Sequence, residues 1–229
     1  MLKKLFLALS FIAVVVCYAK ADFGVSVEGG GVLTGSNNLD KIEIPKPNGG
    51  SFSLTRDEST GSPGGWLIAL FYDVPDAFGL GEKHSVGAKL GYSAYENTSI
   101  YTDLYAGSPL TLALLYDVKS EIYSIPFTIY YKYDLSGKWK VWAGTGLSFI
   151  TNKWIINTVN LSRTNSETKV VPHLATGIEW QFSQLFGLEL NLGYQFDAKF
   201  KSGLYFDGKE IYNDVSGLLL NLAFKIHIF

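Results

Sequence analysis

The sequence predicts an all-β protein, an eight-stranded antiparallel up-and-down transmembrane β-barrel. Three observations predict it. Eight segments of about ten residues alternate apolar and polar side chains, the period of a half-buried strand. The connections between them alternate between short and long, as in membrane barrels with tight turns at one rim and larger loops at the other. Beyond the N-terminal leader, no stretch is long and apolar enough for a membrane helix, so a mature chain that spans a membrane must do so as strands.

The elements follow in order. MLKKLFLALSFIAVVVCYAKA opens with Lys3 and Lys4, continues with an apolar run from Leu5 to Val16, and ends in Ala19-Lys20-Ala21. A basic start, a short apolar core and a small-x-small end make a secretory signal peptide, predicted to span residues 1–21 and to be cleaved after Ala21. Cys17, the only cysteine, lies inside it, so the mature chain has no thiol chemistry and no disulfide framework. Residues 22–229 then form one domain, with no linker or charge block dividing them. Predicted strands cover residues 23–34, 65–74, 84–95, 122–133, 139–150, 170–182, 187–200 and 217–228. The second, fourth and sixth end in the short turns PDAFGLGEK, DLSGK and SQLFG. The other connections are long and polar. Phe206-Asp207-Gly208-Lys209 reads as a tight hairpin turn above the last two strands. TLALLYDV, 111–118, is apolar and is assigned to the second long loop, because a further spanning strand would break the even count; an upward extension of a strand, a short helix over the mouth and a misassigned strand are the alternatives. Pro126 inside the fourth strand lacks a ladder donor, so a bulge is expected there.

Alternation divides each strand into two faces. In GLELNLGYQF, 187–196, the leucines share one face with Tyr194 and Phe196, and Glu189, Asn191 and Gln195 share the other. Carrying this count along all strands assigns ten charges to the lumen: Glu28, Asp73, Glu179, Glu189 and Asp197 against Lys89, Lys132, Lys140, Lys199 and Lys225. An eight-stranded barrel is just wide enough for side chains to fill it, and buried charges need partners. A polar plug of paired charges is therefore expected. Phe23, Tyr72, Tyr131, Tyr133, Trp139, Trp180, Phe182 and Phe229 fall at the strand ends beside the short turns, where an interfacial aromatic girdle belongs. A weaker cluster of Tyr123, Phe149, Phe196 and Phe200 marks the other rim.

In SIPFTIYYKYDL (124–135), KVWAGTGLSF (140–149), HLATGIEWQF (173–182), LELNLGYQF (188–196) and LNLAFKIHIF (220–229), the chain resembles the small eight-stranded outer-membrane barrels of Gram-negative-type bacteria, OmpA-barrel-like, OmpX-like and opacity-protein-like. The resemblance is one of pattern and runs along the mature chain. It implies an outer-membrane location, contact with outer-membrane lipid, and insertion by the barrel-assembly machinery, which reads a terminal strand ending in an aromatic. Phe229 falls on the parity of Lys225 and His227 rather than on that of the apolar row, a departure from that signal.

Nothing points to catalysis. His84, His173 and His227 lie on separate strands without metal-ligand spacing, and His84-Ser85 is an adjacent pair facing opposite sides. No cofactor or metal is expected. With 19 Lys+Arg against 21 Asp+Glu there is no basic excess for nucleic acid. The expected function is a monomeric, non-enzymatic barrel with a plugged lumen, whose loops make surface or adhesive contact with an extracellular ligand. Loop aromatics Tyr101, Tyr105, Trp154, Tyr205 and Tyr212 serve either that contact or loop packing. A narrow pore or a carrier of small or hydrophobic solutes is the alternative, and a membrane-embedded lipid-modifying enzyme the second.

Overall fold

A computed structural model describes residues 21–33, 36–37, 41–45, 51–55, 64–103, 114–157, 162–206 and 209–228. All but Ala21 of the predicted signal peptide therefore lies outside the described residues, as do Tyr105 and Phe229. The strands are β1 (Asp22–Val32), β2 (Ser36–Asn37), β3 (Lys41–Pro45), β4 (Ser51–Thr55), β5 (Gly64–Pro75), β6 (His84–Asp103), β7 (Leu114–Asp134), β8 (Trp139–Asn157), β9 (Ser162–Gln181), β10 (Phe186–Gln195), β11 (Lys199–Phe206), β12 (Lys209–Asp214) and β13 (Gly217–His227). Eight of them close a barrel in the order β1-β13-β10-β9-β8-β7-β6-β5, with β5 returning to β1, and every neighbouring pair is antiparallel. Among the described residues no helix is long and apolar enough to cross a membrane.

The two faces of the wall are inverted relative to a water-soluble protein. Leu190 is 47% exposed and Leu222 58%, whereas Glu189 between strands β9 and β13 is 2% exposed. The same alternation runs through β10 and β13, with apolar side chains outward and polar ones inward. On the outer face of β7, β8 and β9 the character changes in rows. Ile125, Phe149 and Val170 form the last apolar row; Tyr123, Thr151 and Thr168 follow; Glu121, Lys153 and Ser166 come next. An apolar band that gives way to hydroxyls and then to charges has the polarity profile of a hydrocarbon layer, its interface and water.

Barrel strands are of two lengths. β1, β5, β10 and β13 have 11, 12, 10 and 11 residues. Ten residues tilted by about 45° rise roughly 25 Å, the height of such a band. β6 to β9 have 20, 21, 19 and 20 residues and continue well beyond it. The segment assigned to a loop belongs to this extension: Leu114 to Val118 open β7, with Leu115 opposite Thr102 and Asp117 opposite Asn157. Of the readings open for this segment, the upward extension of a strand is the one the structure shows. Residues 111–113 lie outside the described set.

Two further expectations are corrected. No bulge accompanies Pro126: the β6–β7 register is the same on both sides of it, with Leu90 opposite Phe127 and Ser93 opposite Ser124. The ring points into the lumen, where Gly91 opposite supplies the room; a Cβ at Gly91 would stand 3.2 Å from the Pro126 ring. The seventh predicted strand does not run to residue 200. It ends at Gln195, and Asp197 adopts a left-handed φ of 48°, turning the chain inward across the barrel mouth. The β11–β12 hairpin that follows closes with Phe206 opposite Lys209, and β12 pairs with β2. Its ends bring Ala198, Phe200 and Val215 against Val32, Ile122, Ile150 and Val171 inside the barrel. Phe200 is thus fully buried in a roof over the lumen and does not belong to the outer-rim aromatics.

The short turns are set by local side chains. Asp134 accepts hydrogen bonds from the N–H groups of Ser136 and Gly137, and Gly137 takes φ 73°. Ser183 Oγ accepts from Leu185 and Phe186. Such Asx- and Ser-capped turns fix the strand register at this rim.

Candidate functional site

The lumen beneath the roof holds a chain of ion pairs. Lys132 links Asp73 to Glu179, the latter at 3.3 Å. Lys225 links Glu179 at 2.6 Å to Glu189 at 3.0 Å. Lys89 links Glu189 at 3.3 Å to Glu28. Four carboxylates and three ammonium groups thus alternate along the chain, Lys225 joining Glu179 and Glu189, which face one another across β9 and β10, and the seven come from seven strands, β8 alone giving none. Every member is buried except Lys89, whose side chain is 13% exposed.

Neutral groups satisfy the ends. Glu28 accepts from Ser26 Oγ at 3.1 Å, Asn191 Nδ2 at 3.2 Å and Asn221 Nδ2 at 3.5 Å. Asp73 accepts from the Tyr130 hydroxyl. The ammonium of Lys225 also lies 4.1 Å from the centre of the buried Phe71 ring, a cation–π contact. At the short-turn end, His227 bridges Asp22, 2.8 Å from Nδ1, and Glu179, 3.4 Å from Nε2. Buried charges arranged in this way avoid the large cost of an unpaired ion in a low-dielectric interior.

Seven of the ten charges that parity assigned to the lumen meet in this chain: Glu28, Asp73, Lys89, Lys132, Glu179, Glu189 and Lys225. Lys140 is half-buried opposite Glu179 in the β8–β9 register and makes no ion pair among the described residues. Asp197 and Lys199 lie elsewhere. Asp197 is the exposed turning residue before β11, and the Lys199 ammonium sits 3.6 Å from the Tyr212 ring centre in the hairpin. Parity had been counted through a strand that stops two residues earlier. Asp22, Tyr130 and His227 were not assigned to the network. Each has the inward parity of its strand, and that signal could have found them.

Around the outside of the short-turn rim, Trp139 stacks on Trp180 at 6.0 Å, Trp180 meets Phe182 at 5.5 Å, and Phe182, Phe186 and Phe224 continue at 6.4 and 5.7 Å. Tyr131 and Tyr133 pack with His84; Phe23 lies opposite Tyr72 in the β1–β5 register. Phe186 and Phe224 extend the row beyond the residues the sequence singled out. Trp154, considered as a loop contact aromatic, is fully buried inside the β7–β9 extension.

Midway up the lumen, His173 lies between two hydroxyls, Thr128 at 2.8 Å from Nε2 and Ser148 at 3.0 Å from Nδ1. Among the described residues no carboxylate hydrogen-bonds to the ring. Among the described residues no group of three His, Cys, Asp or Glu side chains could hold a metal ion. Across Gly177, Trp142 Nε1 and Asn191 Oδ1 are buried without partners among the described residues. A Cβ at Gly177 would stand 2.5 and 2.6 Å from them.

Above the band, on the outer face, Glu121 is held by Lys119 at 3.0 Å and Lys153 at 3.1 Å and accepts from the Tyr123 hydroxyl at 3.0 Å. Hydrogen bonds from Lys119, then Lys153, lower its carboxyl to about 2.

No family model matches the chain, and no curated protein does. Among solved structures it is similar to Neisserial surface protein A, with 15% identity and a TM-score of 0.47 over 91% of this chain and 99% of that one. OprG, an outer membrane protein from Pseudomonas aeruginosa, gives 11% identity and a TM-score of 0.48 over 92% and 97%. Ail, the attachment invasion locus protein of Yersinia pestis, gives 11% identity and a TM-score of 0.41 over 90% and 98% in its complex with the heparin analogue sucrose octasulfate.

Proposed function

We propose that this closed eight-stranded barrel is an integral protein of a bacterial outer membrane, exported with a signal peptide cleaved after Ala21. Its lumen is plugged, and its role is non-enzymatic: the barrel anchors, and the extended strands and loops make contact outside. One observation carries the reading. Apolar side chains such as Leu190 and Leu222 face outward while an alternating chain of seven charges fills the inside. That inversion is favourable only where hydrocarbon surrounds the wall.

The plug has two layers, the ion chain and the Phe200 roof, and both oppose free passage of ions. β6 to β9 stand beyond the apolar band and offer hydroxyls and charges, including Thr151, Thr168, Lys119 and Lys153, to a partner at the cell surface. His173 without a carboxylate partner speaks against hydrolytic chemistry. Insertion by the barrel-assembly machinery and a monomeric state accompany this reading.

Cysteine labelling tests it. Single cysteines at 188, 190 and 192 should react with lipid-soluble reagents, and those at 189 and 191 should not. Reversed parity would refute the membrane reading. Fractionation should place the chain in the outer membrane with a mobility change on boiling, and N-terminal sequencing should start at Asp22. Planar-bilayer conductance should stay at background; a clear single-channel step would replace the plugged reading by the pore.

A further inference from the structure

Between the ion chain and the roof lies a cavity of about 110 Å³. Six of its lining residues are Val32, Leu67, Ala69, Ile122, Ile150 and Leu219, contributed by five different barrel strands. Inward-facing hydrocarbon on five strands is unexpected in a membrane barrel, whose interior is ordinarily polar. Most of the polar side chains around the cavity are turned onto one another, Trp142 Nε1 and Asn191 Oδ1 alone among its named groups being without partners among the described residues. Lys89, Asn191 and Asn221 bind Glu28; Thr128 and Ser148 bind His173; Gln195 donates to the carbonyl of Val215. A guest finds mainly hydrocarbon to touch.

We propose that this chamber is a binding site for a small apolar molecule about the size of one aromatic ring. Cavities lined by aliphatic side chains stay dry, and one of about 150 Å³ takes up benzene. A polyol would exchange its water hydrogen bonds for few new ones. An anion would find Lys89 already shared by two carboxylates. The route in lies on the roof side, because the ion chain closes the other. There, Asn213 donates to Ser120, Asn165 Nδ2 donates to the carbonyl of Ser202, and the Lys201 N–H donates to Glu167. These polar contacts join the hairpin to the wall and can exchange with water as Phe200 and Val215 lift. The proposal goes beyond the surface-contact reading and holds whatever the outer strands touch.

The test uses the full mature chain, folded in detergent, with folding verified by its mobility change on boiling. Benzene is the probe, and inositol, a ring of similar size covered in hydroxyls, is the control. Ala69→Leu and Leu219→Phe each fill the chamber. Benzene at ten times its dissociation constant should lower the unfolding equilibrium constant of the wild-type chain about tenfold. It should leave both filled variants unshifted, and inositol should do nothing. An equal benzene shift in the variants reports the micelle alone and overturns the proposal, as does no shift or an inositol shift. Should the variants fail to fold, fluorobenzene with the wild-type chain decides. Magnetisation transfer to the methyl groups of Ala69 and Ile150 supports the site, and its absence overturns it. Because the mobility change and the bilayer conductance report on the barrel itself, failure of benzene to bind is separable from failure of the membrane reading.

Discussion

Replacing Lys225 by Met removes the central link of the ion chain. Its ammonium lies 2.6 Å from Glu179 and 3.0 Å from Glu189, with a side chain only 3% exposed. Breaking a buried ion pair by deleting one partner costs about 3–5 kcal/mol, because a charge is left uncompensated. Here each carboxylate keeps a second lysine, Lys132 or Lys89, at 3.3 Å. The expected loss therefore sits at the low end, about 3 kcal/mol, or on the order of a hundredfold in the unfolding equilibrium. Met retains most of the aliphatic stem, so packing against Phe71 changes little. Urea unfolding of the barrel in lipid vesicles, followed by tryptophan fluorescence and by gel mobility, measures the difference. Lys225→Met combined with Glu179→Gln removes one charge of each sign and should recover at least half of the loss. A single variant that loses less than about 1 kcal/mol, the range of a solvated surface pair, would refute the reasoning: the lumen would then be wet enough to screen its charges. Additive single and double losses would refute the coupling.

Leu190→Arg places a cation on the outward face at mid-height and should cost roughly 2–4 kcal/mol in lipid, read by urea unfolding in vesicles; a neutral result would place that face in water. Gly177→Ala introduces a Cβ 2.5 Å from Trp142 Nε1 and 2.6 Å from Asn191 Oδ1. An overpacking loss of about 1–3 kcal/mol is expected by the same assay, with a change in tryptophan fluorescence. Glu121 should titrate at about 2 rather than at the usual carboxylate value of 4.5. Its contribution to stability is then fully present above the unfolded-state value and is lost as pH falls through about 2. Carboxyl carbon shifts measured by NMR follow it, and Lys119→Ala should move the midpoint upward.

Much of this architecture is legible in the chain because a strand's faces alternate strictly. Leu188 to Phe196 can be sorted by counting, and the count places Glu189 and Asn191 beside Glu179 and Asn221 once neighbouring strands are laid in register. The same count fails wherever the strand itself stops. Parity alone assigns Asp197 and Lys199 to the lumen, because nothing in their side chains announces a left-handed φ at Asp197; aspartate accepts it, but does not demand it. Leu114 to Val118 admit several readings in the sequence, the strand extension among them, for the opposite reason. Outside an apolar band no strict alternation is enforced on a strand. The roof is a third case. Phe200 looks outward by parity and turns inward only because the hairpin folds across the mouth. Ala198, Phe200 and Val215 converge with Val32, Ile122 and Ile150 from strands distant in sequence, which no local pattern encodes.

The distribution of the seven charges, one to each of seven staves, bears on how the cylinder comes into being. A sheet of β5 to β9 alone holds Asp73, Lys132, Glu179 and Lys89, and in it Lys89 lacks both of its partners, Glu189 on β10 and Glu28 on β1. Until β10 or β1 joins, that lysine is an unmatched ion, which is costly in low-dielectric surroundings. The pairing of the interior thus favours the closed cylinder over this half-zipped sheet.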